Sequence, residues 1–427
     1  MTDGLGLGDA YDATSGRIKG QGGGKARLGM ATLMWVSYAE RPLKVDELCY
    51  ALAVEIRSSN LNSDSVPSIR TLLACCQGLV AVDREASVVR LIHFTFQEYL
   101  RVRPELFGRA HAAMSETCLS YLNSPQVKAL SASPSPDLQE TPFLEYSSLY
   151  WGMHARRVLS GPAKLLALRL FEDYNHHISI KILLKSQRLY SHLVSFDKPS
   201  LFTGLHCTSV FGVVEMVASF VRVESYDINR KDCVGNTPLV WADLEGHEGV
   251  VEVLLGRDDV DPNKPDRYGQ TPISCAAMNG HEGVVRTLLE QDDVDPNEPD
   301  SDNRTPLLWA SSNGHGEVAK ILLERSDISP DKPDILGRGP LQWAALNKHK
   351  ELAKMLRDRG KVNPDKPDGS SPAPLWRAAQ PYNPGAVAQP QFRGPPMWLA
   401  FFQLWILFPY LLFLYFSGIS FFLFLSL

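Results

Sequence analysis

Apolar residues in the second half of the chain follow a helical spacing, and the helices they predict return in pairs at a fixed interval. Val285, Leu288 and Leu289 lie at positions i, i+3 and i+4, on one face of a helix. A Thr-Pro dipeptide or a degraded form of it returns every 34 residues, at Thr237-Pro238, Thr271-Pro272, Thr305-Pro306 and Gly339-Pro340. A second dipeptide follows each of them, at Gly246-His247, Gly280-His281, Gly314-His315 and Lys348-His349. Such a period is typical of units that stack around one core and present an extended surface.

The first half of the chain switches between helical and strand patterns. The predicted elements are helices over 30–37, 44–56 and 67–77 and strands over 79–82 and 88–93. The polar turn 83–87 joins the two strands. Three helices followed by a hairpin are a winged-helix pattern, so we predict a winged-helix-like domain over residues 29–125.

The remaining regions complete the predicted domain organisation. A Gly-rich start over 1–28 is expected to be disordered, and helical spacing with aromatic stripes predicts a helical bridge over 126–200. Repeats occupy 201–380, with units at about 203–236, 232–265, 266–299, 300–333 and 334–367. The predicted fold class is mainly α: a winged-helix-like module, a helical linker, a repeat solenoid and a candidate C-terminal transmembrane helix.

The end of the chain departs from this frame. A proline-rich linker over 381–396 leads into residues 397–427, which contain no charged residue. About twenty apolar residues in a helix span a bilayer core, so 398–420 is the predicted span, and Pro409 would kink such a helix without forbidding it. One interpretation is a tail anchor with the repeats in the cytosol. The other is a gene-model artefact, a translated intron or shifted sequence.

Charge and cysteine content narrow the function classes. The formal net charge of −5 and the eleven acidic against three basic residues between Asp258 and Asp300 argue against a nucleic-acid partner. Seven scattered cysteines without a CxxC pair fit a reducing compartment. A cytoplasmic location is therefore expected, or a membrane-anchored one if the tail is genuine.

No catalytic constellation is evident. Gly24-Lys25 lacks the other residues of a phosphate loop, and the sequence contains no GxSxG nucleophile elbow. The repeat histidines are about 10 Å apart if they lie one helix-packing distance from each other, too far to share a metal ion at about 2 Å. We therefore expect no enzyme activity, no cofactor and no metal ion.

Two resemblances follow from these motifs. Asp232-x-x-Gly235-x-Thr237-Pro238-Leu239 and its copy from Asp266 resemble the ankyrin repeat, so the solenoid is expected to be an ankyrin-repeat solenoid. The run LLACCQGLVAVD…VVRLIHFTFQEYL resembles the winged-helix segment, named for GPI inositol-deacylase, that follows the NACHT ATPase in fungal proteins with ankyrin repeats. This resemblance implies the C-terminal part of such a receptor, with the NACHT ATPase absent.

The repeat frame divides residues into scaffold and candidate contacts. The predicted structural residues are Thr237, Pro238, His247, Gly269, Thr271, Pro272, His281, Thr305, Pro306, His315 and His349. The candidate partner-binding residues, at hairpin tips and at one first-helix position, are Trp241, Arg267, Tyr268, Trp309, Ile335, Leu336 and Trp343. We therefore predict a non-enzymatic protein-interaction scaffold of an NLR-like (STAND) receptor. The alternative is a hydrolase or accessory subunit related to GPI inositol-deacylase.

Overall fold

A computed structural model describes residues 7–54, 66–101, 103–131, 140–172, 174–187 and 201–358. These residues are mainly helical, with one small sheet near the N-terminus. The predicted mainly α fold class is therefore confirmed.

The N-terminal module has the element order of a winged helix. Its helices and strands are α1 (Leu7–Lys19), α2 (Gly23–Tyr38), β1 (Leu43–Lys44), α3 (Val45–Ala53), α4 (Ile69–Cys75), β2 (Val80–Asp83), β3 (Val88–Leu91), α5 (Phe94–Arg101) and α6 (Pro104–Phe107). The three strands are antiparallel in the order β1-β3-β2, and Val89 pairs with both Leu43 and Val82. The sequence pattern did not predict β1, because two residues are too few to show an alternation.

The predicted disorder of residues 1–28 is wrong for residues 7–28, which belong to α1, α2 and the turn between them. Tyr11 and Ile18 lie two helical turns apart on α1 and are both buried. The ring of Tyr11 lies 4.8 Å from that of Phe96, and Asp12 accepts a hydrogen bond from Tyr99. Tertiary burial thus outweighs the low helix propensity of the glycines.

A helical bridge connects this module to the repeats. Its helices are α7 (Ala110–Leu122), α8 (Pro125–Ser131), α9 (Leu144–Arg157), α10 (Gly161–Phe171) and α11 (Ile178–Ser186). On one side, the ring of Trp35 in α2 packs edge-on at 5.5 Å from Phe143. On the other, Trp151 in α9 packs edge-on at 5.3 Å from Phe211 of the first repeat. One continuous core therefore joins module, bridge and first repeat.

Within residues 201–358, five helix pairs follow the 34-residue period. They are α12 (Gly204–Phe211) with α13 (Val214–Val221), α14 (Pro238–Glu245) with α15 (Glu248–Leu255), α16 (Pro272–Asn279) with α17 (Glu282–Leu289), α18 (Pro306–Asn313) with α19 (Gly316–Glu324), and α20 (Pro340–Leu346) with α21 (Lys350–Asp358). Their apolar faces form a second core along the stack.

The dipeptides of the period set the limits of each first helix. The Thr271 hydroxyl accepts from the Ser274 amide, and Pro272 fills the first helical position, where no N–H is needed. Gly280 ends the helix at φ 78°, a left-handed conformation that glycine adopts without strain. In the last pair, Lys348 takes this role at φ 65°.

The linker 381–396 and the tail 397–427, with the predicted span 398–420, lie outside the described residues. Among the residues that the structure does describe, no helix is both long and apolar enough to cross a membrane.

Candidate functional site

The hairpins between successive helix pairs form a continuous row. In each hairpin, one carboxylate oxygen of an aspartate accepts two backbone amides; for Asp266 these are the amides of Tyr268 and Gln270, both at 2.8 Å. The hairpins that begin at Asp266, Asp300 and Asp334 are joined by single backbone hydrogen bonds, from the Ser301 amide to the Tyr268 carbonyl at 2.9 Å and from the Ile335 amide to the Asp302 carbonyl at 3.0 Å. The row is thus held by backbone hydrogen bonds.

Four of the candidate contact residues lie exposed at the tips of this row. Arg267 and Tyr268 belong to one tip, and Ile335 and Leu336 belong to the tip two repeats further on. The exposed fractions of Tyr268, Ile335 and Leu336 are 40%, 65% and 47%. Single exposed apolar side chains are common on folded surfaces, whereas large ones grouped on a rigid frame are typical of contact surfaces. We call these four residues the tip surface.

The three tryptophans do not form one exposed face, and the candidate role of Trp241 in binding is wrong. Trp241 is only 1% exposed, because Phe202 packs edge-on against it at 6.1 Å. Its indole Nε1–H donates to Asp232 at 2.8 Å. Trp241 is thus a core residue of the first two repeats.

Trp309 and Trp343 are half-buried, and each donates its Nε1–H to its own hairpin aspartate, Asp300 at 3.0 Å and Asp334 at 2.9 Å. Arginines cover their rings: Arg304 lies 4.8 Å from the ring of Trp309, and Arg338 lies 5.3 Å from that of Trp343. The surface that these tryptophans present is therefore an alternating stack of tryptophan rings and arginine guanidinium groups. The four residues Arg304, Trp309, Arg338 and Trp343 form the stack beside the tip surface.

The two arginines were not among the predicted contact residues. Arg304 and Arg338 each precede their tryptophan by five residues and stand one repeat apart, whereas Asn236 occupies the equivalent position before the buried Trp241. The signal was present in the sequence: arginine accompanies tryptophan in the repeats where the ring is partly exposed.

One repeat breaks the tryptophan series. Cys275 occupies the tryptophan position and is fully buried. In the neighbouring repeats, the second carboxylate oxygen of the hairpin aspartate accepts an indole N–H. The equivalent oxygen of Asp266 has no hydrogen-bond partner among the described residues. Burial raises the pKa of Asp266 above its ordinary value, and the backbone amides only partly oppose this.

The repeat histidines bridge successive repeats. The Nε2–H groups of His247, His281, His315 and His349 donate to backbone carbonyls of the preceding repeat, at 2.9, 3.0, 3.0 and 3.1 Å. Each ring also lies against the glycine that ends the preceding first helix: a Cβ on Gly246 would come within 2.5 Å of His281. Nε2 of each of these four histidines is therefore occupied by a hydrogen bond to the backbone of the preceding repeat.

Asparagines, rather than the surrounding aspartates, link the loops on the other side of the stack. The Asn263 side chain donates to the Asp293 carbonyl at 2.6 Å and accepts from the Asp295 amide at 3.1 Å. Asn229 and Asn297 make the same pair of bonds in the adjacent loops. These three asparagines stand 34 residues apart and thus continue the frame of the repeats.

Comparison with known families agrees with this geometry. Residues 205–300, 246–334 and 292–368 match three copies of the ankyrin-repeats family model. Residues 17–106 match the winged helix domain of GPI inositol-deacylase. The chain carries this winged helix domain followed by ankyrin repeats. Both expected domain types are thereby confirmed, and no curated protein matches the chain.

Because the repeats are ankyrin repeats, the hairpin row can be compared with the surfaces that such repeats use. Ankyrin repeats present extended surfaces to other proteins, and in this chain the exposed tip surface and the half-buried tryptophan–arginine stack lie along the hairpin row. The winged helix match spans residues 17–106, so it begins near the end of α1, covers the sheet, and stops before the bridge.

Proposed function

We propose that this chain is a non-enzymatic interaction scaffold whose ankyrin repeats bind a protein through the tip surface and the adjoining tryptophan–arginine stack. The observation that carries the proposal is the exposure of Tyr268, Ile335 and Leu336 on hairpins that are bonded to one another through their backbones. A rigid frame loses little conformational entropy when it binds, so exposed apolar groups on it yield affinity efficiently.

The charges beside this surface favour a protein partner over a nucleic acid. The guanidinium of Arg304 faces Trp309 and contacts Asp302 at 3.6 Å, so its charge is partly compensated within the hairpin. The loops at the opposite side of the repeats are rich in aspartate. Tyrosine, tryptophan and arginine are the residue types that dominate the energy of protein interfaces.

The wider proposal is that the chain is part of an NLR-like (STAND) receptor of a fungal NACHT type, which acts in self/non-self recognition or signalling. It rests on the order winged helix, bridge, ankyrin repeats and on the continuous core between them. Trp35–Phe143 and Trp151–Phe211 join consecutive parts, so a partner on the repeats acts on a body that is packed against the winged helix. A cytoplasmic location is part of this proposal, and the seven free cysteines support it.

The proposal is tested by comparing partners captured by matched variants. Cross-linking mass spectrometry in the source cell would compare the wild type with Leu336→Asp and with Val223→Asp. Leu336 and Val223 are both 47% exposed, but Val223 follows α13 and lies outside the hairpin row. A partner that the wild type and Val223→Asp capture equally, and that Leu336→Asp loses, is the expected result.

Calorimetry with that purified partner should then give an affinity at least about 30-fold weaker for Leu336→Asp, the loss typical of an interface hot spot. Equal affinity of the two variants would refute the tip surface as the binding site. Turnover of phosphoinositide-like esters by the purified chain would refute the non-enzymatic part and favour the hydrolase alternative.

A further inference from the structure

A cluster of metal-binding side chains lies at the junction of the winged helix and the bridge, away from the repeats. Glu40 follows the C-terminal end of α2, His111 lies in the first turn of α7, and His154 lies in the last turn of α9. One ligand atom from each residue lies within 4.8 Å of the others. Only the repeat histidines stand in a regular sequence pattern, whereas Glu40, His111 and His154 are far apart in the sequence and form no motif.

The separations suit one small cation. The Nδ1 atoms of His111 and His154 are 2.9 Å apart, and Nδ1 of His154 is 3.6 Å from Oε1 of Glu40. Ligands of a tetrahedral ion at about 2.0–2.2 Å are separated by about 3.3 Å. These two distances therefore need changes of only a few tenths of an ångström, and the third pair, Glu40 and His111, lies within 4.8 Å.

The surroundings orient the two imidazoles. The other ring nitrogen of His154, Nε2, lies 2.9 Å from the hydroxyl of Tyr146, which also accepts a hydrogen bond from the Glu40 amide at 3.1 Å. His111 packs edge-on against Tyr38 at 5.7 Å. A partner on the second nitrogen of a histidine is a regular feature of metal sites, because it fixes the ring and its tautomer.

A cationic side chain already lies beside the cluster. The guanidinium of Arg157 donates to both carboxylate oxygens of Glu40 and lies 3.3 and 3.5 Å from the ring nitrogens of His111. Because 47% of its side chain is exposed, it has a path into solvent. Positive charge is thus favoured at this point of the molecule, and the group that supplies it is displaceable.

We propose that Glu40, His111 and His154 bind one divalent transition-metal ion, with zinc as the best match, and that Arg157 moves into solvent when the ion binds. Two imidazoles and a carboxylate are a ligand set that zinc accepts, with water in the fourth position. The ion would join α2 to α7 and α9, and so fix the winged helix on the bridge.

Calorimetric titration of chelator-treated full-length chain with zinc chloride at pH 7 tests the proposal. One equivalent should bind, with a rise in melting temperature, since an ion that binds only the folded state stabilises it. His111→Gln should bind at least about tenfold more weakly, because even the loss of a residue behind the ligands costs that much. Arg157→Gln should bind more tightly, because a competing cation is removed. His176→Gln, an exposed histidine on the bridge, is the matched control and should bind as the wild type.

Two further readouts keep the test decisive. If His111→Gln fails to fold, Glu40→Gln takes its place and should lose binding in the same way. Cobalt substitution should give the visible bands of nitrogen and oxygen ligands without a thiolate charge-transfer band. No stoichiometric zinc binding, equal losses in His111→Gln and His176→Gln, weaker binding by Arg157→Gln, or a thiolate band would each overturn the proposal.

Discussion

The ankyrin repeats are held together by the same few contacts every 34 residues, whereas the winged helix and the bridge depend on contacts that occur once. In the repeats, His281 and His315 make the same hydrogen bond to the preceding repeat, at 3.0 Å in both cases. In the bridge, the contacts of Trp151 with Phe211 and of Tyr146 with His154 have no copies in this frame.

This difference determines how a contact in each region can be tested. A contact that is repeated can be tested against its own copy in the same molecule, with the fold held constant. A contact that occurs once needs an external control, but it identifies where one part of the chain packs against the next.

The largest effect is expected within the shared core of the repeats. Ala276 and Leu288 are fully buried. Ala276→Asp buries a charge without a partner, and Leu288→Ala leaves a cavity, so each should destabilise the chain by about 2–5 kcal/mol. Urea unfolding followed by circular dichroism measures this. Arg286→Ala, exposed on the same helix as Leu288, is the control, and an unchanged midpoint for either core variant would contradict the stacked-repeat core.

The next effect concerns the junction of bridge and repeats. A Cβ on Gly152 would lie 2.1 Å from Cγ of Phe211, whose ring is held by Trp151. Gly152→Ala should therefore force α9 and α12 apart and cost about 1–3 kcal/mol. Gly161→Ala on α10 is the control, because no atom lies within 4 Å of its added Cβ. If the two variants unfold at the same urea concentration, the close approach at Gly152 carries no energetic weight.

The repeated contacts could be predicted from the sequence, whereas the contacts that occur once could not. Thr271-Pro272 predicts the start of a helix, because threonine caps the first turn of a helix and proline fits into that turn. The burial of Trp241 could not be predicted, since Trp309 stands at the same repeat position. What differs is the neighbour: Phe202 packs against Trp241, and an arginine covers Trp309.

The same holds for the N-terminal module and the junction cluster. The winged helix could be predicted because its hairpin and helices show local periodicity, whereas α1 is stabilised by Phe96 and Tyr99, which lie far along the chain. Glu40, His111 and His154 meet only because three helices converge. Distances between such residues depend on tertiary packing, which no local pattern encodes.

The hairpin aspartates allow a smaller, paired test. Asp300→Asn should cost about 1–3 kcal/mol, because its amide N–H would face the Nε1–H of Trp309 and leave a buried donor unsatisfied. Asp266→Asn in the equivalent hairpin faces the buried Cys275 instead of an indole, so its change should stay within about 1 kcal/mol. Chemical unfolding of both variants gives the comparison. Equal losses would mean that the indole hydrogen bond contributes nothing measurable.

The smallest effect is expected for the repeated histidines. His315→Ala removes the hydrogen bond to the Met278 carbonyl, and His349→Ala removes its copy to the Ser312 carbonyl; each carbonyl keeps an asparagine side chain as a second donor, at 2.7 Å in both cases. Both rings are half-buried, so water can bond to the released carbonyl, and each variant should lose only about 0.5–1.5 kcal/mol. The two losses should agree with each other, because geometry and surroundings repeat. His176→Ala, exposed on the bridge, should leave the unfolding midpoint unmoved. Losses that differ by more than the measurement error would show that the repeats are not energetically equivalent, and the contrast between repeated and unique contacts would then hold for geometry alone.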